Sequence, residues 1–169
     1  LKTVMGEDCP PDALRAYQVL TGLSSHSFSA MRDLLGAPKG VRYATQHNGE
    51  TVLALFDYGH FTALYEAVID DVSRFDAGIE VLTQRQQFKL NYDTPYIRNL
   101  PTRLEITTSS DTDTGTEIIG PIYEDPFRIE LEAFRDSVVN GTPNKTSLED
   151  SMADLRLFAE VGRHFRAAR

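Results

Sequence analysis

One histidine carries most of the chemistry legible in this sequence. His26 stands in Gly22-Leu23-Ser24-Ser25-His26-Ser27-Phe28-Ser29-Ala30-Met31-Arg32-Asp33-Leu34-Leu35-Gly36. Ser24 or Ser25 reads as the cap that starts a short helix, since a hydroxyl there accepts from a free backbone N–H. Gly36, with Pro38 behind it, reads as the stop. Phe28, Met31 and Leu35 share one face of that helix, so this face is expected to be buried with His26 at its mouth. A helix start carries about half a positive charge, so an imidazole there favours its neutral, proton-accepting form. Such a group can serve as a general base or hydrogen-bond acceptor. A surface or capping histidine is the commoner occupant of such a position.

Other chemistries find less support. The eleven glycines never fall in a G-x-G-x-x-G or P-loop spacing, so no cofactor-binding residue is expected on this chain. Asp57-Tyr58-Gly59-His60 comes nearest to a ligand pair, but no H-x-H or H-E-x-x-H spacing occurs, and no metal is expected. His47 and His60 read as turn residues beside Asn48-Gly49 and Gly59. There is no G-x-S-x-G elbow, and Cys9 lies in a proline-flanked loop without a nearby histidine. The loop Thr94-Pro95-Tyr96-Ile97-Arg98-Asn99-Leu100-Pro101 can offer Arg98 and Asn99 to a hydroxylated ligand. An exposed connector is the commoner role of such a segment.

The elements that must position these residues follow from periodicity and turn chemistry. Pro11-Asp12 opens a first helix with Leu14, Tyr17 and Leu20 inward, and the His26 helix follows. Strands are expected over 41–46, 51–58, 62–69, 78–84, 87–92, 104–108 and 117–122. Asn48-Gly49 is a strong hairpin signal, because both residues tolerate the positive φ of a type I′ turn. Tight turns between consecutive strands imply antiparallel pairing. Asp125-Pro126 starts a helix with Phe127, Leu131, Phe134 and Val138 as its apolar stripe, ending at Asn140-Gly141. Ser147-Leu148-Glu149-Asp150 resembles a capping box, and Leu148, Met152, Leu155, Phe158 and Phe165 are expected to mark the buried face of a last helix. The expected fold class is α+β: one open, largely antiparallel sheet of about six strands with helices on one face, in a single domain over 1–169.

Both sheet faces carry apolar residues. Leu53, Leu55, Leu64, Val68 and Leu82 lie opposite Val52, Phe56, Tyr65, Ile69 and Val81. An open apolar face fits a second subunit or domain, and it also fits scattered surface apolar residues.

Composition bounds the partners. At 169 residues, 41% hydrophobic and 9% aromatic, the chain can bury a core. A net charge of −8 with scattered basic residues argues against nucleic acid or an anionic membrane as partner. The one local basic cluster, Arg163, Arg166 and Arg169, closes a helix. A lone cysteine fits a reducing compartment, and a cytoplasmic location is expected. No apolar run approaches the roughly 20 residues that span a bilayer.

The order of these pieces resembles one family. The Ser25-His26-Ser27-Phe28-Ser29-Ala30-Met31-Arg32-Asp33-Leu34-Leu35-Gly36-Ala37-Pro38 segment precedes an antiparallel sheet, and the Phe127-x3-Leu131-x2-Phe134 and Ser147-Leu148-Glu149-Asp150 helices follow it. Over nearly its whole length the chain resembles the C-terminal domain of the GFO/IDH/MocA oxidoreductases, inositol-dehydrogenase-like branch. The resemblance implies an N-terminal Rossmann domain, absent from this chain, that holds NAD or NADP and supplies a catalytic lysine. It implies a sugar or polyol substrate, and a homo-oligomer formed through the open sheet face. His26 matches the catalytic histidine that removes the hydroxyl proton as hydride leaves the adjacent carbon. Ser25, Ser29, Arg98 and Asn99 are then the expected substrate-binding residues. The chain departs from the family at two positions that often hold Asp, which are Gly22 and Ser29 here. The chain on its own is expected to lack dehydrogenase activity. The other reading is a self-standing, non-catalytic module that binds a small ligand or dimerises.

Overall fold

The computed structural model describes residues 2–167; Leu1, Ala168 and Arg169 lie outside them, as does the side chain of Arg166 in the basic cluster. Among these residues are α1 (Lys2–Met5), α2 (Pro11–Gly22), α3 (Ser24–Leu35), β1 (Gly40–His47), β2 (Thr51–Asp57) and β3 (Thr62–Val68). Then come β4 (Ala77–Leu82), β5 (Gln86–Tyr92), β6 (Thr102–Ser109), β7 (Thr114–Ile122), α4 (Pro126–Asn140) and α5 (Leu148–Ala167). The fold is α+β, every strand pair is antiparallel, and each expected strand is present within a few residues of its expected ends. The strands number seven rather than about six, and they hydrogen-bond as two sheets, β1-β2-β3 and β4-β5-β6-β7, rather than one. No tight turn links β3 to β4; Ile69–Asp76, with acids at 70, 71 and 76, intervenes. Two compact units result, one of Leu1–Asp71 with Lys145–Arg169 and one of Val72–Asn144.

The first unit holds the core. Strict alternation buries Val52, Ala54 and Phe56 of β2, while Tyr65 and its β3 neighbours Ala63 and Ala67 pack partly against them. The helices contribute Ala16, Tyr17 and Leu20 from α2, Phe28 from α3, and Phe158, Val161 and Phe165 from α5. Met31 and Leu35 pack against this core as the helical spacing requires. Met5 of the four-residue α1 is also buried, at 1% exposure; nothing in the sequence marked that short helix. The outer face of the sheet carries Tyr43, Leu53, Leu55, Leu64 and Val68, of which Leu64 is 68% exposed.

The β1–β2 hairpin turns as expected, with φ of 53° at Asn48 and 71° at Gly49. A Cβ at Gly49 would stand 2.6 Å from Arg15 Cβ and 2.9 Å from the Asp12 carbonyl, so α2 leaves no room for one. Gly49→Ala combines positive-φ strain with that collision. It should destabilise the unit by about 1–3 kcal/mol, measured by chemical denaturation.

The last helix corrects an expectation. Phe158 and Phe165 are buried, but Leu148 is 82% exposed and Met152 and Leu155 are each 47% exposed. The inward positions in the first half of α5 belong instead to Asp150 and Asp154, which bind Arg32 of α3. Those ion pairs set the rotation of α5 and turn its early apolar residues outward. Ser147 caps the helix by accepting from the Asp150 N–H at 3.2 Å.

In the second unit the four-stranded sheet has one apolar face, with Ile79, Val81, Phe88, Leu90, Leu104 and Ile106 in register across β4, β5 and β6. Its other face carries Glu80, Lys89 and Glu105. Helix α4 begins and ends as expected: the Asp125 carboxylate accepts from the Phe127 N–H, and Gly141 closes it in the left-handed conformation. Its stripe of Phe127, Leu131, Phe134 and Val138 is exposed, and α4 has no buried residue.

Candidate functional site

His26 lies in the first turn of α3, exposed to solvent. At about 100° per residue, Ser25, Ser29 and His26 lie within a 100° arc of the helix, with His26 nearly opposite Phe28 and Ser25 about 60° from it. His26 is exposed, and Ser25 and Ser29 beside it are half-buried. Asp33 lies on the same side two turns further on, where Lys145 holds it at 2.6 Å. Sequence reading gave this pair no role, since its members lie 112 residues apart.

The start of the helix differs from expectation. Neither Ser24 nor Ser25 is the cap; Leu23 occupies that position in an α-helical conformation, and no side chain caps the helix. Helix α2 ends at Gly22, so α3 follows after a single residue. Ser24 is itself the first residue of the helix, so it does not have the extended backbone that a cap requires. Its side chain is used differently. Ser24 is 1% exposed, accepts from the Tyr65 hydroxyl at 2.5 Å and donates to the Val19 carbonyl at 3.4 Å.

The far end of α3 is held as firmly. Gly36, at φ 79°, stops the helix as expected, and the Tyr58 hydroxyl donates to its carbonyl at 3.0 Å. Burial pushes the Tyr58 hydroxyl pKa up, which keeps it a donor. Arg32 donates through Nε to Asp154 at 2.7 Å, and through Nη1 and Nη2 to the Asp150 carboxylate and carbonyl at 2.8 and 3.1 Å. Hydrogen bonds to Asp154 and then Asp150 raise the guanidinium pKa, so Arg32 stays charged. The bond from Arg32 in turn holds the Asp150 carboxyl below the usual carboxylate range. A fixed helix thus presents His26, whereas the ring itself is open to a ligand.

Arg98 and Asn99 lie in the second unit, on the loop between β5 and β6. Asn99 adopts a left-handed φ of 61°, and the Arg98 guanidinium stands 3.8 Å from Asp125. Tyr96 on the same loop is 85% exposed and meets the Phe127 ring at 6.1 Å between centroids. Ser25, His26 and Ser29 are thus one group on α3, and Arg98 and Asn99 another on this loop. Among the described residues, no group of three His, Cys, Asp or Glu could hold a metal, and no helix is long and apolar enough to cross a membrane.

The sequence matches no protein-family model and no curated protein. Solved structures do match. A Desulfitobacterium hafniense chain, provisionally described as an NADPH-dependent oxidoreductase, aligns over 90% of this chain and 47% of its own at 16% identity and TM-score 0.74. The Bacillus subtilis protein yvaA, provisionally described as an oxidoreductase, aligns over 89% and 51% at 16% identity and TM-score 0.68. KijD10, a 3-ketoreductase from Actinomadura kijaniata solved with NADP and TDP-benzene, aligns over 94% and 50% at 16% identity and TM-score 0.60. The chain spans about half the length of the structures it matches. It has the fold that these oxidoreductase chains carry over about half of their length.

Proposed function

We propose that this chain is the substrate-binding and oligomerisation domain of a cytoplasmic, NAD(P)-dependent GFO/IDH/MocA-type dehydrogenase acting on a sugar or inositol-like polyol. The observation that carries this reading is the fold likeness to NADP-linked oxidoreductases over half their length, joined to an exposed His26 on a firmly held helix. The dinucleotide itself does not fit this chain. Every strand pair is antiparallel, and among the described residues no glycine of positive φ links a strand to a helix start. On this reading the cofactor is held by a Rossmann domain elsewhere in the parent protein.

His26 accepts the proton of the substrate hydroxyl through a ring nitrogen, while Ser25 and Ser29 bond neighbouring hydroxyls. On the loop of the second unit, Arg98 and Asn99 offer hydrogen bonds to a hydroxylated ligand. The outer face of β1–β3, with Tyr43, Leu55 and Leu64 in one register row, takes a second copy of the chain.

Reading the coding sequence upstream of Leu1 tests the assignment. A segment of about 120 residues with βαβ order and a G-x-G-x-x-G turn is expected. An in-frame start immediately before Leu1 would sink it. In the chain itself, His26→Ala should weaken inositol binding about tenfold, as expected for one lost ligand hydrogen bond, with the fold unchanged. Titration followed by NMR checks this.

A further inference from the structure

Behind His26, three groups form a one-way hydrogen-bonded chain. The Tyr65 hydroxyl donates to Ser24 Oγ at 2.5 Å, and Ser24 Oγ donates to the Val19 carbonyl at 3.4 Å. That carbonyl also accepts the Leu23 N–H at 2.9 Å, so the chain of bonds ties together the corner between α2 and α3. One turn further on, the Phe28 ring meets the Tyr65 ring edge-on at 4.9 Å. Tyr65 therefore touches α3 at residues 24 and 28, on either side of His26 in sequence.

A helix start usually owes its rigidity to a capping side chain, which satisfies one of four otherwise free N–H groups. Leu23 stands where that cap would be and has no polar side chain to offer. We propose that Tyr65 is a positioning residue for His26: its hydroxyl, through Ser24, anchors the uncapped first turn of α3 to β3 and fixes how the imidazole meets the substrate. This rests on the reading of α3 as polyol-binding. Tyr65 itself faces the core and need not touch the ligand. Its ring packs and its hydroxyl orients, and Tyr65→Phe separates the two, because the ring contact with Phe28 survives the change. Ser24 keeps its bond to Val19, so no buried hydroxyl is left without a partner.

The test records the ring ¹H–¹³C signals of His26 in the wild-type chain, Tyr65→Phe, Ser24→Ala and the double variant, with His26→Ala for assignment. Each sample is then titrated with myo-inositol. Both single variants should displace the His26 signals in the same direction while those of His47 stay fixed, and should weaken inositol binding roughly fivefold. The double variant should be no worse than Ser24→Ala, since one break already opens the chain of bonds. His26 signals that coincide with wild type in Tyr65→Phe, with binding intact, overturn the positioning role. Displaced signals in a series whose wild type binds no inositol overturn the ligand reading instead. Should Tyr65→Phe fail to fold, Ser24→Ala carries the same comparison.

Discussion

Phe28→Ala should cost the first unit about 3–5 kcal/mol, the range for emptying a fully buried aromatic position. Phe28 is 0% exposed, and its ring contacts come from three elements: Phe56 of β2 at 5.3 Å, Tyr65 of β3 at 4.9 Å and Phe158 of α5 at 4.9 Å. Removing it takes away the one side chain of α3 that is both apolar and fully buried. A domain of this size has about 5–15 kcal/mol in hand, so a loss of this order brings the unit close to unfolding at ordinary temperature. Thermal and denaturant melts followed by circular dichroism would measure it. Phe28→Leu keeps most of the volume and should cost less than about 1.5–2 kcal/mol. A Phe28→Ala variant as stable as wild type would mean that α3 is held by its polar contacts alone.

The second large effect is expected at those polar contacts. Arg32→Met removes the cation that serves two carboxylates. The Arg32 and Asp154 side chains are 12% and 11% exposed, so Asp154 would be left nearly buried beside Asp150 without a partner. Breaking such a pair costs about 3 kcal/mol or more, because the remaining charge keeps its desolvation penalty. The pH dependence has a definite sign. In the folded chain Asp150 holds its charge to lower pH than an unfolded aspartate, whose pKa is about 3.9. On acidification the unfolded state takes up its proton first, so the contribution of Asp150 is present above that value and is lost as pH falls through the lower folded one. Arg32→Met should flatten this part of the acid limb as well as lower the plateau. Denaturation midpoints from pH 7 down to pH 2 check both, and an unchanged acid limb would remove Asp150 from the account.

Arg32 also explains which parts of the fold could be read in advance. Strands with alternating residues and turn dipeptides announced themselves, because pleat and turn are local: Leu104 and Ile106 against Glu105, or Asn48-Gly49, need no knowledge of the rest of the chain. The burial of α5 does need it. Hydropathy places Leu148, Met152 and Leu155 inside, but Asp150 and Asp154 face inward because a guanidinium lies there, 118 and 122 residues away in sequence. The division into two sheets is equally non-local, since it depends on which strand edges fail to meet. At the candidate site, the spacing of Ser25, His26 and Ser29 was legible from the helix period. The hold on that helix was not: Ser24 looked like a cap, and its true partner, Tyr65, comes from a strand 41 residues on.

The single-residue corner at Leu23 bears on how this chain can vary in length. Leu23 is 58% exposed, so its identity is free to drift, but the number of residues there is not. One inserted residue would turn α3 by about 100° relative to α2. That rotation would carry Phe28 out from between Phe56 and Phe158 and swing His26 to another side of the helix. Homologues should therefore accept almost any side chain at this corner while admitting neither an insertion nor a deletion, in contrast to the charged segment between β3 and β4.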